Sequence, residues 1–102
     1  MKQLTLPKKV KVGDKWYSVE IAESMQDRLY MGEVHYAKQT ITLARKSYHG
    51  IPLKLSALHE TFWHELTHAI LESMGRTQLN NDENFVEEFS SRLAKAIASA
   101  RF

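Results

Sequence analysis

The chain has 102 residues, 43% of them hydrophobic, and a formal net charge of +2. This length fits one domain with a single core, and the apolar share excludes a disordered chain. The absence of cysteine excludes a disulfide framework and any thiolate metal ligand, and so slight a positive charge does not by itself indicate nucleic-acid binding.

We therefore predict one domain over residues 1–102. No apolar run approaches the roughly 20 residues that would span a bilayer, so no membrane partner is expected. The N-terminus contains lysines but lacks the apolar stretch of a signal peptide. A cytoplasmic location is expected, since a chain without cysteine suits a reducing compartment.

Residues 9–21 predict a β-hairpin, because polar and apolar side chains alternate on both sides of the turn signal Gly13-Asp14. The face of the second strand with Tyr17, Val19 and Ile21 is expected to meet the core. The lysines of this region are interpreted as the solvated side and edge protection of a small sheet, rather than as a phosphate-binding patch: Lys8, Lys9, Lys11 and Lys15.

The middle of the chain predicts a connection followed by a second hairpin. Residues 22–30 have mild helical character and are interpreted as a connection with one or two helical turns. Residues 33–43 predict two short strands around a turn near Ala37-Lys38, since apolar residues alternate with threonine at the end of this segment. Residues 45–51 are expected to form a loop before the next helix.

Residues 64–68 have the sequence HELTH, which is the pattern H-E-x-x-H. In a helix, residues four apart lie nearly above one another, so His64 and His68 can bind one Zn²⁺ from the same face. Glu65 lies about 100° further round, where it can take a proton from the attacking water as a general base. The pattern therefore predicts a zinc site with Glu65 as the catalytic residue.

Apolar residues flank the motif and cover the helix side opposite the histidines. They are Leu55, Leu58, Phe62, Trp63, Leu66, Ala69, Ile70 and Met74. The helix is expected to begin with Ser56 as N-cap, or earlier with Pro52 in its first turn. Gly75 is the expected stop.

The last helix is predicted from about residue 82 to residue 100. Asn80, Asn81 and Asp82 all favour an N-cap, and Asn80 with Glu83 has the spacing of a capping box. An apolar stripe at helical period is expected to pack inward: Phe85, Val86, Phe89, Leu93, Ala96 and Ile97.

A catalytic zinc site usually has a third protein ligand. A third histidine on the motif helix is excluded, because Leu71 and Met74 occupy the positions that the longer pattern requires. Glu60 or Glu72 would form a row along the helix with the two histidines, and the outer ligands would be about 12 Å apart. Such a row does not suit ligands that must all lie about 2 Å from one ion. The third ligand is therefore expected on the last helix.

Among the glutamates of that helix we prefer Glu87. Glu88 shares a charged side with Arg92, whereas small residues beside Glu87 would let the helix approach the site closely. Glu88 and Glu83 remain alternatives. A ligand elsewhere also remains open, namely His35, His49 or His59.

Residues 32–43, the segment 58–71 with H-E-x-x-H, and residues 86–93 together resemble the small zincin-like metallopeptidases of bacteriophages and prophages, and more distantly the gluzincins. The resemblance implies an α+β fold, with a small twisted, mainly antiparallel sheet packed on the motif helix and a C-terminal helix that brings the ligand glutamate. It also implies that a strand within residues 33–43 pairs with an extended peptide. Gluzincins usually have a carboxylate four residues after the ligand glutamate; after Glu87 that position is Ser91.

The predicted function is hydrolysis of a peptide or protein substrate, with zinc on His64, His68 and Glu87 and with Glu65 as the base. An oxyanion donor is expected among Tyr30, Tyr36, Tyr48 and His49, and the sequence does not choose between them. Two alternatives are a catalytically silent zinc-binding interaction module and a nucleic-acid-associated protease that uses the lysine-rich hairpin.

Overall fold

The structure is a computed structural model that describes residues 5–23, 31–47 and 49–102. Within these residues lie four strands and three helices: β1 (Lys9–Val12), β2 (Lys15–Ala22), β3 (Gly32–His35), β4 (Thr40–Ala44), α1 (Leu55–Ser73), α2 (Thr77–Asn80) and α3 (Glu83–Ser99). Most of the connection predicted over residues 22–30 lies outside the described part of the chain. None of the described helices has the length and apolar character that a bilayer crossing requires.

The strands form one mixed sheet in the order β1-β2-β4-β3. β1 pairs antiparallel with β2 and β3 with β4, so both predicted hairpins are confirmed; the central pair of β2 and β4 is parallel. Gly13 and Gln39 make the hairpin turns with φ angles of 61° and 54°. The α+β class is confirmed, and β3 is left at an edge of the sheet.

One face of the sheet packs against α1. Tyr17 of β2 is 2% exposed, as its predicted inward position requires, whereas Ile21 near the end of the same strand is 40% exposed. The shared core contains Tyr17, Ile41 and Leu43 from the sheet and Leu58, Phe62, Leu66 and Ala69 from α1. Burial of a large apolar side chain stabilises a fold by about 1.5–3 kcal/mol, so this contact fixes α1 under the sheet.

The end of α1 agrees with the prediction, but its beginning does not. The helix begins after Lys54, which makes no side-chain cap, so the predicted N-cap Ser56 lies inside the helix. Pro52 lies before the helix in a β-bridge with Lys46. Gly75 ends the helix as predicted, with a φ angle of 69° that favours glycine.

The buried side of α3 is rotated relative to the predicted stripe. Val86, Ser90 and Ala94 are buried against the rest of the molecule. Phe89, which the stripe placed inward, is 48% exposed and stacks on Phe85 with ring centroids 5.8 Å apart. The small side chains of Ser90 and Ala94 suit a close approach of α3 to α1, as was expected for the side of the helix beside Glu87.

The lysines of the first hairpin lie over a tryptophan. The Nζ atoms of Lys9 and Lys11 are 4.8 and 5.9 Å from the ring centroid of Trp16, whose side chain is 52% exposed. These distances are typical of cation–π contacts at a surface. The two lysines therefore have a partner within the sheet itself, in keeping with a solvated sheet face.

Candidate metal centre

The two histidines of the motif lie side by side on α1. Their ring centroids are 5.1 Å apart, and the side chains of His64 and His68 are only 19% and 13% exposed. Residues four apart on a helix share a face, so this pairing follows from the local sequence alone.

Glu83, the first residue of α3, spans the two histidines. Its Oε2 lies 3.5 Å from Nε2 of His64, and its Oε1 lies 3.1 Å from Nε2 of His68. One ligand atom from each of the three residues lies within 4.8 Å of the others. Two donors bound to a tetrahedral ion at about 2.0–2.1 Å are roughly 3.3 Å apart, so these spacings fit a shared metal ion.

Glu87 contacts His64 from the other side. Its Oε2 lies 3.0 Å from Nδ1 of His64 and is not part of the group that could hold a metal. An acceptor at Nδ1 keeps the hydrogen there and leaves Nε2 free to bind a metal. The geometry therefore favours Glu83 as the third ligand and Glu87 as the residue that orients His64, which reverses the sequence-based preference.

The start of α3 explains this reversal. Asp82 caps the helix by accepting a hydrogen bond of 3.1 Å from the backbone N–H of Phe85, so α3 begins at Glu83. Glu83 and Glu87 are one helical turn apart and face the same histidine. Their spacing of four, which places both carboxylates on one face of the helix, was the signal in the sequence.

His68 is oriented by a residue that was predicted to cap a helix. Oδ1 of Asn80 lies 2.6 Å from Nδ1 of His68, and Nδ2 of Asn80 donates to the hydroxyl of Tyr36 at 3.0 Å. Asp82 performs the capping role instead. The sequence carried no signal for this chain of contacts, because an asparagine just before a helix usually caps it.

The other predicted candidates lie apart from this group or outside the described residues. Nδ1 of His35 accepts a hydrogen bond from the backbone N–H of Lys38 in the second hairpin turn. His49 and His59 are described but are not members of the metal-binding group. Glu88 is exposed on α3. Two of the candidate oxyanion donors, Tyr30 and Tyr48, lie outside the described residues.

Glu65 lies beside this group in a half-buried position. Burial raises the pKa of its carboxyl above the ordinary value of 4.5, and the carboxylates of Glu83 and Glu33 raise it further. Positive charge on His64 and His68 acts in the opposite direction. A carboxylate with a raised pKa is a stronger base, as general-base catalysis near neutral pH requires.

A cleft of about 280 Å³ opens beside Glu65. Its walls are formed by Met31, Gly32, Glu60, Thr61, His64, Glu65 and Glu87. A Cβ atom added to Gly32 would lie 2.5 Å from Cγ2 of Thr61 and 3.3 Å from Cγ of Glu65. The missing side chain thus lets the edge strand β3 lie directly against α1 at the site.

Comparison with protein-family models, curated proteins and solved structures found no match for this chain. What the site does must therefore be inferred from its own residues.

Proposed function

We propose that this protein is a zinc-dependent peptidase. The observation that carries the proposal is the convergence of His64, His68 and Glu83, with the half-buried Glu65 beside them. Two imidazoles and one carboxylate are a donor set that catalytic zinc uses, with its fourth position left for water. A structural zinc site would instead be closed by four protein ligands, commonly including cysteine.

A bound Zn²⁺ would supply Lewis acidity to water and to the peptide carbonyl. Glu65 accepts the proton of the attacking water and passes it to the leaving amine. Glu87 and Asn80 keep the two imidazole rings turned so that their Nε2 atoms face Glu83. The outer edge of β3, which pairs with no other strand among the described residues, offers backbone donors and acceptors to an extended peptide beside Gly32.

The negative charge of the cleft favours the binding of peptides with a basic side chain near the scissile bond. Three glutamates line it, and its lining residues include no lysine or arginine. Since Glu65 and Glu87 already have roles, the exposed Glu60 is the carboxylate left to meet a substrate side chain. We expect peptides with lysine or arginine to be cleaved faster than acidic ones, and Glu60→Gln to reduce that preference.

The metal is tested by elemental analysis of the wild type beside three variants of α3. We expect about one zinc per chain in the wild type and in the control Glu88→Gln, and a strong loss of zinc in Glu83→Gln. Glu87→Gln should bind zinc more weakly, since removal of an orienting partner typically costs about 10–100-fold in metal affinity. Full zinc content in Glu83→Gln would contradict the ligand assignment.

The reaction is tested with a panel of fluorogenic peptides and with Glu65→Gln. We expect this variant to keep zinc and to lose cleavage by about 10²-fold or more, because general-base catalysis contributes at least that much. A wild type that binds zinc but cleaves no peptide of the panel would support the silent binding module instead.

A further inference from the structure

We propose that Tyr36 is a positioning residue, which acts through the side chain of Asn80 to hold His68 in the orientation that a metal ion requires. The inference rests on the proposed zinc function. It connects the turn of the second hairpin to the metal centre, and neither the motif nor the third ligand requires such a connection.

The contact joins three separate pieces of the chain. Tyr36 is the first residue after β3, Asn80 is the last residue of α2, and His68 lies in the C-terminal half of α1. The two contacts, 2.6 Å from Asn80 to His68 and 3.0 Å from Asn80 to Tyr36, are both partly buried. Water therefore competes with them less than it would at the open surface.

The chemistry of an amide explains why Tyr36 matters. To bind a metal through Nε2, His68 must carry its hydrogen on Nδ1, and that N–H needs an acceptor. The side chain of Asn80 offers an acceptor, Oδ1, on one side and a donor, Nδ2, on the other. If the amide were turned over, Nδ2 would point its hydrogens at the N–H of His68.

The hydroxyl of Tyr36 accepts a hydrogen bond from Nδ2 and so holds the side chain of Asn80 in place, with Oδ1 beside Nδ1 of His68. Alanine at position 80 would offer the hydroxyl no polar group to hold. The contribution of Tyr36 should therefore depend on which residue occupies position 80. A role of Tyr36 in packing alone would not have this dependence.

The test measures Zn²⁺ and Co²⁺ affinity by competition with a chromophoric chelator, together with the visible absorption spectrum of the Co²⁺ form. Asn80→Ala should weaken binding by about 10–100-fold. Tyr36→Phe should weaken it by about 3–10-fold, as expected for one neutral hydrogen bond, and should alter the Co²⁺ spectrum. The control Asn81→Ala, which changes the neighbouring exposed asparagine, should bind as the wild type does.

The decisive variant combines Tyr36→Phe with Asn80→Ala. We expect Tyr36→Phe to change affinity by less than about twofold in the Asn80→Ala background, because the amide that Tyr36 holds has gone. Equal affinity of Tyr36→Phe and the wild type would overturn the inference and leave the zinc site intact. An equal loss in both backgrounds would also overturn it, while a wild type that binds no metal would refute the proposed function as well.

Discussion

Each histidine of the motif uses both of its ring nitrogens. Nε2 of His64 and Nε2 of His68 face the same carboxylate, Glu83, while their Nδ1 atoms meet Glu87 and Asn80. Contacts at both ring nitrogens leave an imidazole little rotational freedom. At the scale of single residues, the protein's own side chains therefore set the orientation of the two rings.

Glu65→Gln should stabilise the metal-free protein in a pH-dependent way. Burial raises the pKa of Glu65 in the folded state. The contribution of this group to stability is therefore fully present below the pKa of the unfolded chain, 4.5, and is lost as pH rises through the pKa of the folded state. Glutamine cannot ionise and avoids that loss. In urea unfolding with a chelator, we expect the free energy of unfolding of Glu65→Gln to exceed that of the wild type by an amount that grows between about pH 4 and about pH 8. Each unit by which folding raises the pKa of Glu65 adds about 1.36 kcal/mol to this difference.

An advantage of Glu65→Gln that does not vary with pH would contradict the assignment of the raised pKa to this carboxyl. Glu60→Gln is the matched control, because it removes an exposed carboxylate earlier on the same helix and should show no such trend.

Gly32→Ala should destabilise the fold by about 1–3 kcal/mol, the usual cost of overpacking. The added Cβ would lie 2.5 Å from Cγ2 of Thr61, which is a rigid β-branched side chain in α1. Thr61→Ser removes that methyl group and can keep the hydroxyl bond to the carbonyl of Ala57. In a double-mutant cycle by chemical denaturation, Gly32→Ala should cost clearly less in the Thr61→Ser background; strictly additive effects would exclude this contact as the cause.

At the scale of elements, α3 is the part of the fold that completes the site. Its position against α1 brings Glu83 and Glu87 to the histidines, and the buried line of Val86, Ser90 and Ala94 sets its rotation. A helix turned so that Phe89 faced inward would carry both glutamates away from α1.

Val86→Ala should therefore cost more stability than Phe89→Ala, although phenylalanine is the larger residue. Val86 is 0% exposed and Phe89 is 48% exposed. We expect a loss of about 2 kcal/mol in the free energy of unfolding for Val86→Ala and about 1 kcal/mol or less for Phe89→Ala. The reverse order in thermal or urea denaturation would mean that α3 is rotated toward the predicted stripe.

At the scale of the whole molecule, a bound metal would tie α3 to α1, because its ligands come from both helices. An ion present at 100 times its dissociation constant stabilises the folded state by about 2.7 kcal/mol. In a domain of this size, that free energy raises the unfolding midpoint by on the order of 10 °C. We expect this rise on adding zinc to the wild type and to Glu88→Gln, measured by differential scanning calorimetry.

Glu83→Gln should lose most of the zinc-dependent rise, because the ligand that we propose on α3 would be gone. An undiminished rise in this variant would mean that the histidines bind zinc without the help of α3.

Much of the fold could be predicted because its signals are local. Alternation and a turn residue predicted each hairpin, and the period of apolar residues predicted α1 and α3. The parallel pairing of β2 with β4 was not predictable in this way. It joins strands that are not consecutive, and nothing in the alternation along either strand selects its neighbour.

The sequence by itself determined the histidine pair and the position of Glu65 beside it, because residues 64–68 lie on one helix and the geometry of a helix is the same in every fold. Only the tertiary structure decided between Glu83 and Glu87 and gave Asn80 its role at His68. Those choices depend on how far α3 and α2 are rotated against α1. That rotation is set by the packing of side chains such as Ser90 and Ala94, and a helical wheel of α3 alone contains no information about the surface that α3 meets.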